Sequence, residues 1–391
     1  MTRRGRLVLL VGVAVYLVAW AFGSRALYPL AVGLIVTALA AWAWMRLARR
    51  PVRLAHSGRG PDHYEGDDVD VRVEVELTRG GLPPSTVVLN ERMSKLGERA
   101  TRLEGSGSRR SGGYLLERVP RGRYELQDAS AVLEDPFGLA HTEVELPHAS
   151  TILVYPRLVE LGRLFSDAGA SLPEGRRLLM HKTSGFDLHS VRDYQEGESL
   201  RRVHWRSTAK RARLMVKELE DAPRDEVAVV LDAQKGTPAF DLQVRAAGSI
   251  LFAHASRNRR AVLVVNGATQ EVVQTSASEG DRRRALEVLA GAEPDGARPP
   301  EAVLVDEAGP ALAALELVVV TGAVTRVLVD RLVQRRMAHR QVSLVYADGN
   351  GGKEPGLLRL QAAGVPVAVV REGEDLAAAL GRPSYAEAAY G

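Results

Sequence analysis

Cysteine is missing from all 391 residues, which excludes disulfide-stapled scaffolds and thiolate zinc sites and is compatible with a reducing compartment. Net charge is small as well: 52 Lys and Arg nearly balance 48 Asp and Glu to leave +4, and because arginine is clustered, basic character is local rather than global. No Gly-x-Gly-x-x-Gly or Walker A pattern occurs. Gly349-Asn350-Gly351-Gly352-Lys353 lacks the spacing of a phosphate loop and reads as a turn. No Ser or Cys nucleophile is paired with a histidine in a recognised order, and neither His141 nor His148 has a partner at metal-ligand spacing.

What is present begins with two apolar runs. Leu7 to Phe22 would span roughly 24 Å as a helix and Ala26 to Met45 roughly 30 Å, with only Gly23-Ser24-Arg25 between them. Arg3, Arg4 and Arg6 precede the first run, and Arg46, Arg49, Arg50 and Arg53 follow the second. Basic flanks stay cytoplasmic, so the expectation for residues 1–50 is a transmembrane helical hairpin with its tip outside, anchored by Tyr28, Trp42 and Trp44. A competing reading makes the first run a signal peptide cleaved near Ala19-Trp20-Ala21; the Arg-rich end of the second run stays inside in either case.

Residues 51–157 change texture to short strands and turns. Val69, Val71, Val73, Val75 and Leu77 alternate with charged residues, the pattern of a half-exposed antiparallel strand. Further strands are expected over Thr86–Asn90, Tyr114–Val119, Gly122–Leu126 and Ala129–Leu133, with Arg102–Ser111 as a mobile loop. The sum is a small β-sandwich module in which nothing looks catalytic, and a turn at Asp135-Pro136-Phe137-Gly138 tucks Phe137 into the core.

Residues 158–225 hold a connector, Leu161 to Met180, and then the most informative stretch, Gly185 to Lys217. It contains Arg192, Tyr194, Gly197-Glu198, Arg202, His204-Trp205, Ala209-Lys210 and Leu214-Met215-Val216-Lys217. His204 is either a ligand or base, or a structural residue packed by Trp205. The cations Arg201, Arg202, Arg206, Lys210, Arg211 and Arg213 either bind phosphate, acidic lipid or an acidic partner, or are neutralised by Glu196, Glu198, Glu218, Glu220 and Asp221. The candidate binding set is Arg192, Tyr194, Arg202, His204, Trp205, Arg206, Lys210 and Asp232. Nucleic-acid binding is not expected, since the basic run is short and flanked by acids.

From 226 to 391 continuous apolar strands (Val227–Asp232, Ala261–Val265, Val272-Val273, Leu315–Val320, Val342–Tyr346, Val365–Val370) alternate with helical segments. Such strands are buried on both faces, and the expectation is an α/β doubly wound, mostly parallel sheet with Asp232 at the carboxyl end of its first strand.

The signature stretch, with Asp135-Pro136-Phe137-Gly138-Leu139 upstream and Asp232 downstream, resembles the bacterial domain of unknown function 58 family; Glu198 stands where that family more often has Asp. The resemblance implies a C-terminal von Willebrand factor A-like domain. There the first strand ends Asp-x-Ser-x-Ser around Mg²⁺, whereas this chain has Asp232-Ala233-Gln234-Lys235-Gly236, without either hydroxyl. It further implies a bacterial inner-membrane protein with cytoplasmic soluble domains, partnered by a MoxR-type AAA+ ATPase and by a transglutaminase-like membrane protein. The expected function is therefore a non-enzymatic interaction scaffold without a cofactor; a metal-dependent hydrolase using Asp193, His204 and Asp232, or an acidic-lipid or nucleic-acid binder, are the alternatives.

Overall fold

The computed structural model describes residues 1–58, 62–78, 80–105, 107–147, 150–169, 188–193, 205–211, 213–219, 227–306, 309–349, 351 and 354–382. The chain forms two compact units, Met1–Tyr155 and Pro156–Gly391.

In the first unit, helices α1 (Arg3–Phe22) and α2 (Tyr28–Leu47) form a hairpin through a 3-10 turn at Arg25–Leu27, and both are long and apolar enough to cross a membrane. Buried positions recur every seven residues at Gly5, Gly12 and Ala19 on α1 and at Ala31, Ala38 and Met45 on α2, where Ala41 is buried as well. Leu10, Leu17, Trp20 and Phe22 are exposed instead. Small residues let the two backbones approach closely, and a Cβ at position 12 would lie 2.9 Å from the Ile35 side chain.

The rest of this unit is two sheets around one core. Strands β1 (Pro51–Gly58), β3 (Val69–Leu77) and β6 (Arg109–Leu116) make the first sheet. The second runs β2 (His63–Tyr64), β9 (Thr151–Tyr155), β7 (Gly122–Glu134), β4 (Thr86–Met93), β5 (Gly97–Leu103), with β8 (His141–Glu145) also paired to β7. Val69, Val71, Val73, Val75 and Leu77 are all buried, as their alternation requires, and share a core with Leu89, Leu133 and Val154. Three expectations are corrected. Of the loop expected over Arg102–Ser111, Arg102 and Leu103 end β5 and Arg109 to Ser111 start β6, so the connection is shorter than expected. Gly122–Glu134 is a single strand, its register shift falling opposite Arg92 and Met93. Phe137 is 70% exposed, because Asp135 holds the turn from within and Leu139 takes the inward position. The Asp135 carboxylate, itself buried, accepts from the Phe137 N–H at 2.8 Å and from the Ala140 N–H.

Hairpin and sandwich are joined at both helix feet. Thr2 caps α1 and also donates its N–H to the Leu139 carbonyl at 2.9 Å, while Leu82 donates to the Leu47 carbonyl at 2.9 Å and accepts from Arg49 at 2.8 Å. A Cβ on Gly5 would sit 2.0 Å from the Leu139 oxygen, so only glycine lets α1 lie this close to the turn.

In the second unit, the segment after Pro156 is part of the core: Leu164 and Phe165 are buried, and Asp167 in the 3-10 turn Phe165–Gly169 pairs with Arg257 at 3.2 Å. The remainder of the expected connector, 170–180, lies outside the described residues. Next come β10 (Leu188–Asp193), α3 (Trp205–Arg211) and β11 (Met215–Leu219), the two strands paired antiparallel. The α/β part is β12 (Val227–Asp232), α4 (Phe240–Ser256), β13 (Ala261–Asn266), β14 (Gln270–Thr275), α5 (Glu279–Gly291), α6 (Pro300–Val303), α7 (Pro310–Ala313), β15 (Glu316–Thr321), α8 (Arg326–Met337), β16 (Gln341–Asp348), α9 (Pro355–Ala362), β17 (Val367–Arg371) and α10 (Leu376–Gly381). The sheet order is β14-β13-β12-β15-β16-β17, parallel throughout except for β14. Val227, Val229 and Leu231 pack on one face with Ile250, Leu251 and Leu289, and Ala228 and Val230 on the other with Leu328, Leu332 and Leu360. Helices thus cover both faces, which is why the strands lack polar alternation.

At the amino end of this sheet, His254 is fully buried, and Arg259 donates to its Nδ1 at 3.0 Å while reaching Glu316 at 2.8 Å. Burial, then the Arg259 and Arg257 charges, pull its pKa from 6.5 down to about 3. The unfolded chain therefore takes up a proton that the folded chain refuses, so stability is full above pH 6.5 and is lost as pH falls from there toward 3. Thermal unfolding across that window is expected to show the loss, and His254→Asn, which keeps an acceptor for Arg259, to flatten it. An unchanged profile in the variant contradicts the assignment.

Candidate functional site

In an open α/β sheet the crevice for ligands lies at the carboxyl strand ends where the strand order reverses, here between β12 and β15. Asp232 ends β12 at this point and is 1% exposed. Its Oδ2 accepts the Thr321 hydroxyl at 2.7 Å and its Oδ1 accepts the Gln234 N–H at 3.1 Å. Burial raises the pKa of the carboxyl, the two hydrogen bonds oppose that, and Glu301 adds to it.

The loop after β12 closes over the crevice. Thr237, the hydroxyl nearest to those absent from the Asp-x-Ser-x-Ser positions, donates to the Gln234 carbonyl at 2.6 Å. Lys235 is exposed, with its N–H on the Gly296 carbonyl at 2.8 Å. Pro238 lies across the ends of β15 and β16: a Cβ on Gly322 would meet the Pro238 oxygen at 2.6 Å, and one on Gly349 the Pro238 side chain at 2.8 Å. Ala239 holds the loop there at φ 49°, a left-handed conformation costly for a residue with a Cβ, and the Gln243 amide donates to the Pro238 carbonyl at 2.7 Å. These residues do not fit a divalent cation. Among the described residues, one carboxylate with both oxygens engaged and a hydroxyl turned onto backbone leave too few oxygens. Beside it, Asp348 accepts the Gly351 N–H at 2.7 Å and pairs with Arg371 at 3.0 Å, so the Gly-rich turn caps a carboxylate.

The signature residues are placed unevenly. Pairing of β10 with β11 sets Arg192 opposite Val216 and Asp193 opposite Met215, which brings the two ends of the stretch together. Tyr194, Arg202 and His204 lie outside the described residues, as does His148 upstream. Arg206 lies in α3. Trp205, at the start of that helix, is 65% exposed, and Lys210 is exposed too. Thr208 accepts the Met215 N–H at 3.0 Å and ties helix to strand, with Met215 as the buried anchor.

A polar cluster that sequence reasoning missed lies in the first unit. His56 on β1 contacts Glu91 on β4 at 2.5 Å through Nε2 and Ser150 at 2.9 Å through Nδ1, so one histidine bridges the two sheets. The His56 and Glu91 side chains are 8% and 1% exposed. Although the order serine, histidine, carboxylate is that of an acyl-transfer relay, so deep a pair acts here as a clasp between sheets. The signal was available: Glu91 falls on the inward phase of β4, in step with Val87, Leu89 and Met93. His56→Ala leaves a carboxylate buried without its partner and is expected to cost about 3–5 kcal/mol in denaturant unfolding, whereas His56→Leu combined with Glu91→Met recovers most of that. Equal losses in the single and the double variant contradict the clasp.

Comparisons with known proteins agree with the signature. Residues 190–347 match the family model described as protein of unknown function DUF58. The uncharacterized protein YeaD of Bacillus subtilis is 26% identical over 235 residues, and the match spans 60% of this chain and 58% of that protein's length. Cwp6 from Clostridium difficile, a solved structure, covers 81% of this chain and 45% of its own at 8% identity, with a TM-score of 0.16 that carries no argument about fold. Residues 190–347, from within β10 to within β16, are thus similar to the DUF58 family.

Proposed function

We propose that the protein is a membrane-tethered interaction scaffold of the bacterial inner membrane whose C-terminal sheet is a von Willebrand factor A-like domain that has lost its ion site. The hairpin of α1 and α2 spans the bilayer, and the Arg-rich feet of both helices place the sandwich and the α/β unit in the cytoplasm. The observation that carries this reading is the closed carboxyl end of the sheet. Asp232 is satisfied by Thr321 and Gln234, and Pro238 lies against Gly322 and Gly349, past the ends of β15 and β16. A sheet plugged at its customary site acts through its outer surface, by holding other proteins. The strand order, with one antiparallel edge strand beside five parallel ones, supports the A-type reading.

The partner that fits is a MoxR-type AAA+ ATPase, with a transglutaminase-like membrane protein as a second, in complex assembly or cell-envelope work. Purification of the full chain from its own membranes in mild detergent is expected to retain such an ATPase. Repeated recovery of the chain without any ATPase contradicts the proposal.

The competing metal-dependent hydrolase makes a different forecast. Because burial lifts the Asp232 pKa, the stability it lends is complete below the ordinary carboxylate pKa and is lost as pH rises through the raised value, so ionising it is a cost. Asp232→Asn is therefore expected to keep or raise the unfolding free energy, by about 0–1 kcal/mol, and Mg²⁺ to move the thermal midpoint of neither protein. A Mg²⁺-dependent rise confined to the unsubstituted chain supports the hydrolase instead.

A further inference from the structure

The Asp135–Gly138 turn places a large aromatic side chain where solvent alone is an odd neighbour. Phe137 is 70% exposed, although the turn that carries it is tightly held by the buried Asp135. Its neighbour Gly138 accepts the Thr2 hydroxyl at 2.9 Å, and Leu139 accepts the Thr2 N–H at 2.9 Å, so the turn is fixed to the first residues of α1.

The hairpin's own register gives the level of that joint. Gly12 packs against Leu34 and Ile35, and stepping about ten residues toward the basic foot of each helix leads to Thr2 and Met45. Around Met45, Arg46 stacks on Trp42 with 4.6 Å between guanidinium carbon and ring centre, and Trp44 donates its indole N–H to the Pro83 carbonyl at 3.2 Å. Arg3, Arg4 and Arg6 are exposed on α1 at the same height. Amphipathic aromatics mixed with arginines at one level of a helix pair mark a bilayer boundary, where rings sit among glycerol and upper acyl carbons and guanidinium groups reach phosphates.

We propose that Phe137 is a lipid contact: the turn is a finger of the β-sandwich that enters the cytoplasmic face of the bilayer beside the foot of α1. The finger seats the sandwich against the membrane instead of leaving it on a free tether, and the occupant of this surface is lipid. The inference rests on the reading of α1 and α2 as membrane-spanning.

The absence of cysteine makes the test direct, because each introduced cysteine carries the only spin label. Full-length protein in vesicles of phosphatidylethanolamine and phosphatidylglycerol would be labelled at Phe137→Cys, at Val13→Cys within α1, and at Glu98→Cys. Glu98 on β5 pairs with Arg92 near the far end of β4, roughly 20 Å along the strand from the Asp135 turn. Collision with dissolved oxygen relative to a water-soluble nickel chelate is the readout. The expected result is a ratio at position 137 several-fold above that at 98 and below that at 13. A ratio at 137 equal to that at 98, with 13 in lipid, overturns the finger and leaves the hairpin standing. Protection of 137 from both reagents overturns it in favour of a protein contact, and a water-like ratio at 13 removes the membrane reading itself.

Discussion

A carboxylate buried at the end of a central strand must find its hydrogen-bond donors inside the protein, and the architecture of the second unit's carboxyl end follows from that need. Asp232 has no solvent to turn to, so Thr321 from the neighbouring strand and the Gln234 N–H serve it. Holding Gln234 in reach bends the loop back over the strand ends, and the loop stays there because Gly322 and Gly349 offer no Cβ to Pro238. A methyl group at either glycine would push the proline out and reopen the crevice. The strained Ala239 is the cost of this closure, met by the packing and by the Gln243 hydrogen bond.

The first unit follows the same logic with different parts. Its two apolar helices are not merely strung ahead of the sandwich, since Thr2 and Leu82 make backbone hydrogen bonds across the joint at both feet. Ala41, Met45 and Ala48 belong to the sandwich core, so the last turns of α2 are as much part of the β-module as of the helical hairpin. Gly5 and the turn at Leu139 complete the contact on α1. Inside the sandwich, His56 and Glu91 make a buried polar bridge between the two sheets.

Much of this was legible in the residues because the periodicities were clean. The Val69–Leu77 alternation and the continuous apolar runs of β12, β13, β15, β16 and β17 gave their burial directly, and Asp232 could be placed at a strand end. What stayed hidden was decided by contacts between distant residues. Phe137 was expected inside because aromatics usually are, yet the turn geometry set by Asp135 gives that place to Leu139. Leu164 and Phe165 sat in a polar stretch and carried no period, so their part in the core depended on α4 and the sheet. The closure over Asp232 could be read only in part: the missing hydroxyls were visible, while the role of Pro238 required knowing that Gly322 and Gly349 come to meet it.

The proposed scaffold role rests on the satisfied Asp232 carboxylate and on the helical hairpin bonded to the sandwich. The claim on which this depends is that no ion enters above Asp232. Manganese is the sharpest probe, since the free hydrated ion gives a six-line paramagnetic resonance signal that broadens when carboxylates bind it. Titrated with the full-length protein in detergent, Mn²⁺ is predicted to keep its full signal at every ratio. Loss of one equivalent of signal that returns when Asp232 is replaced by Asn would contradict the account.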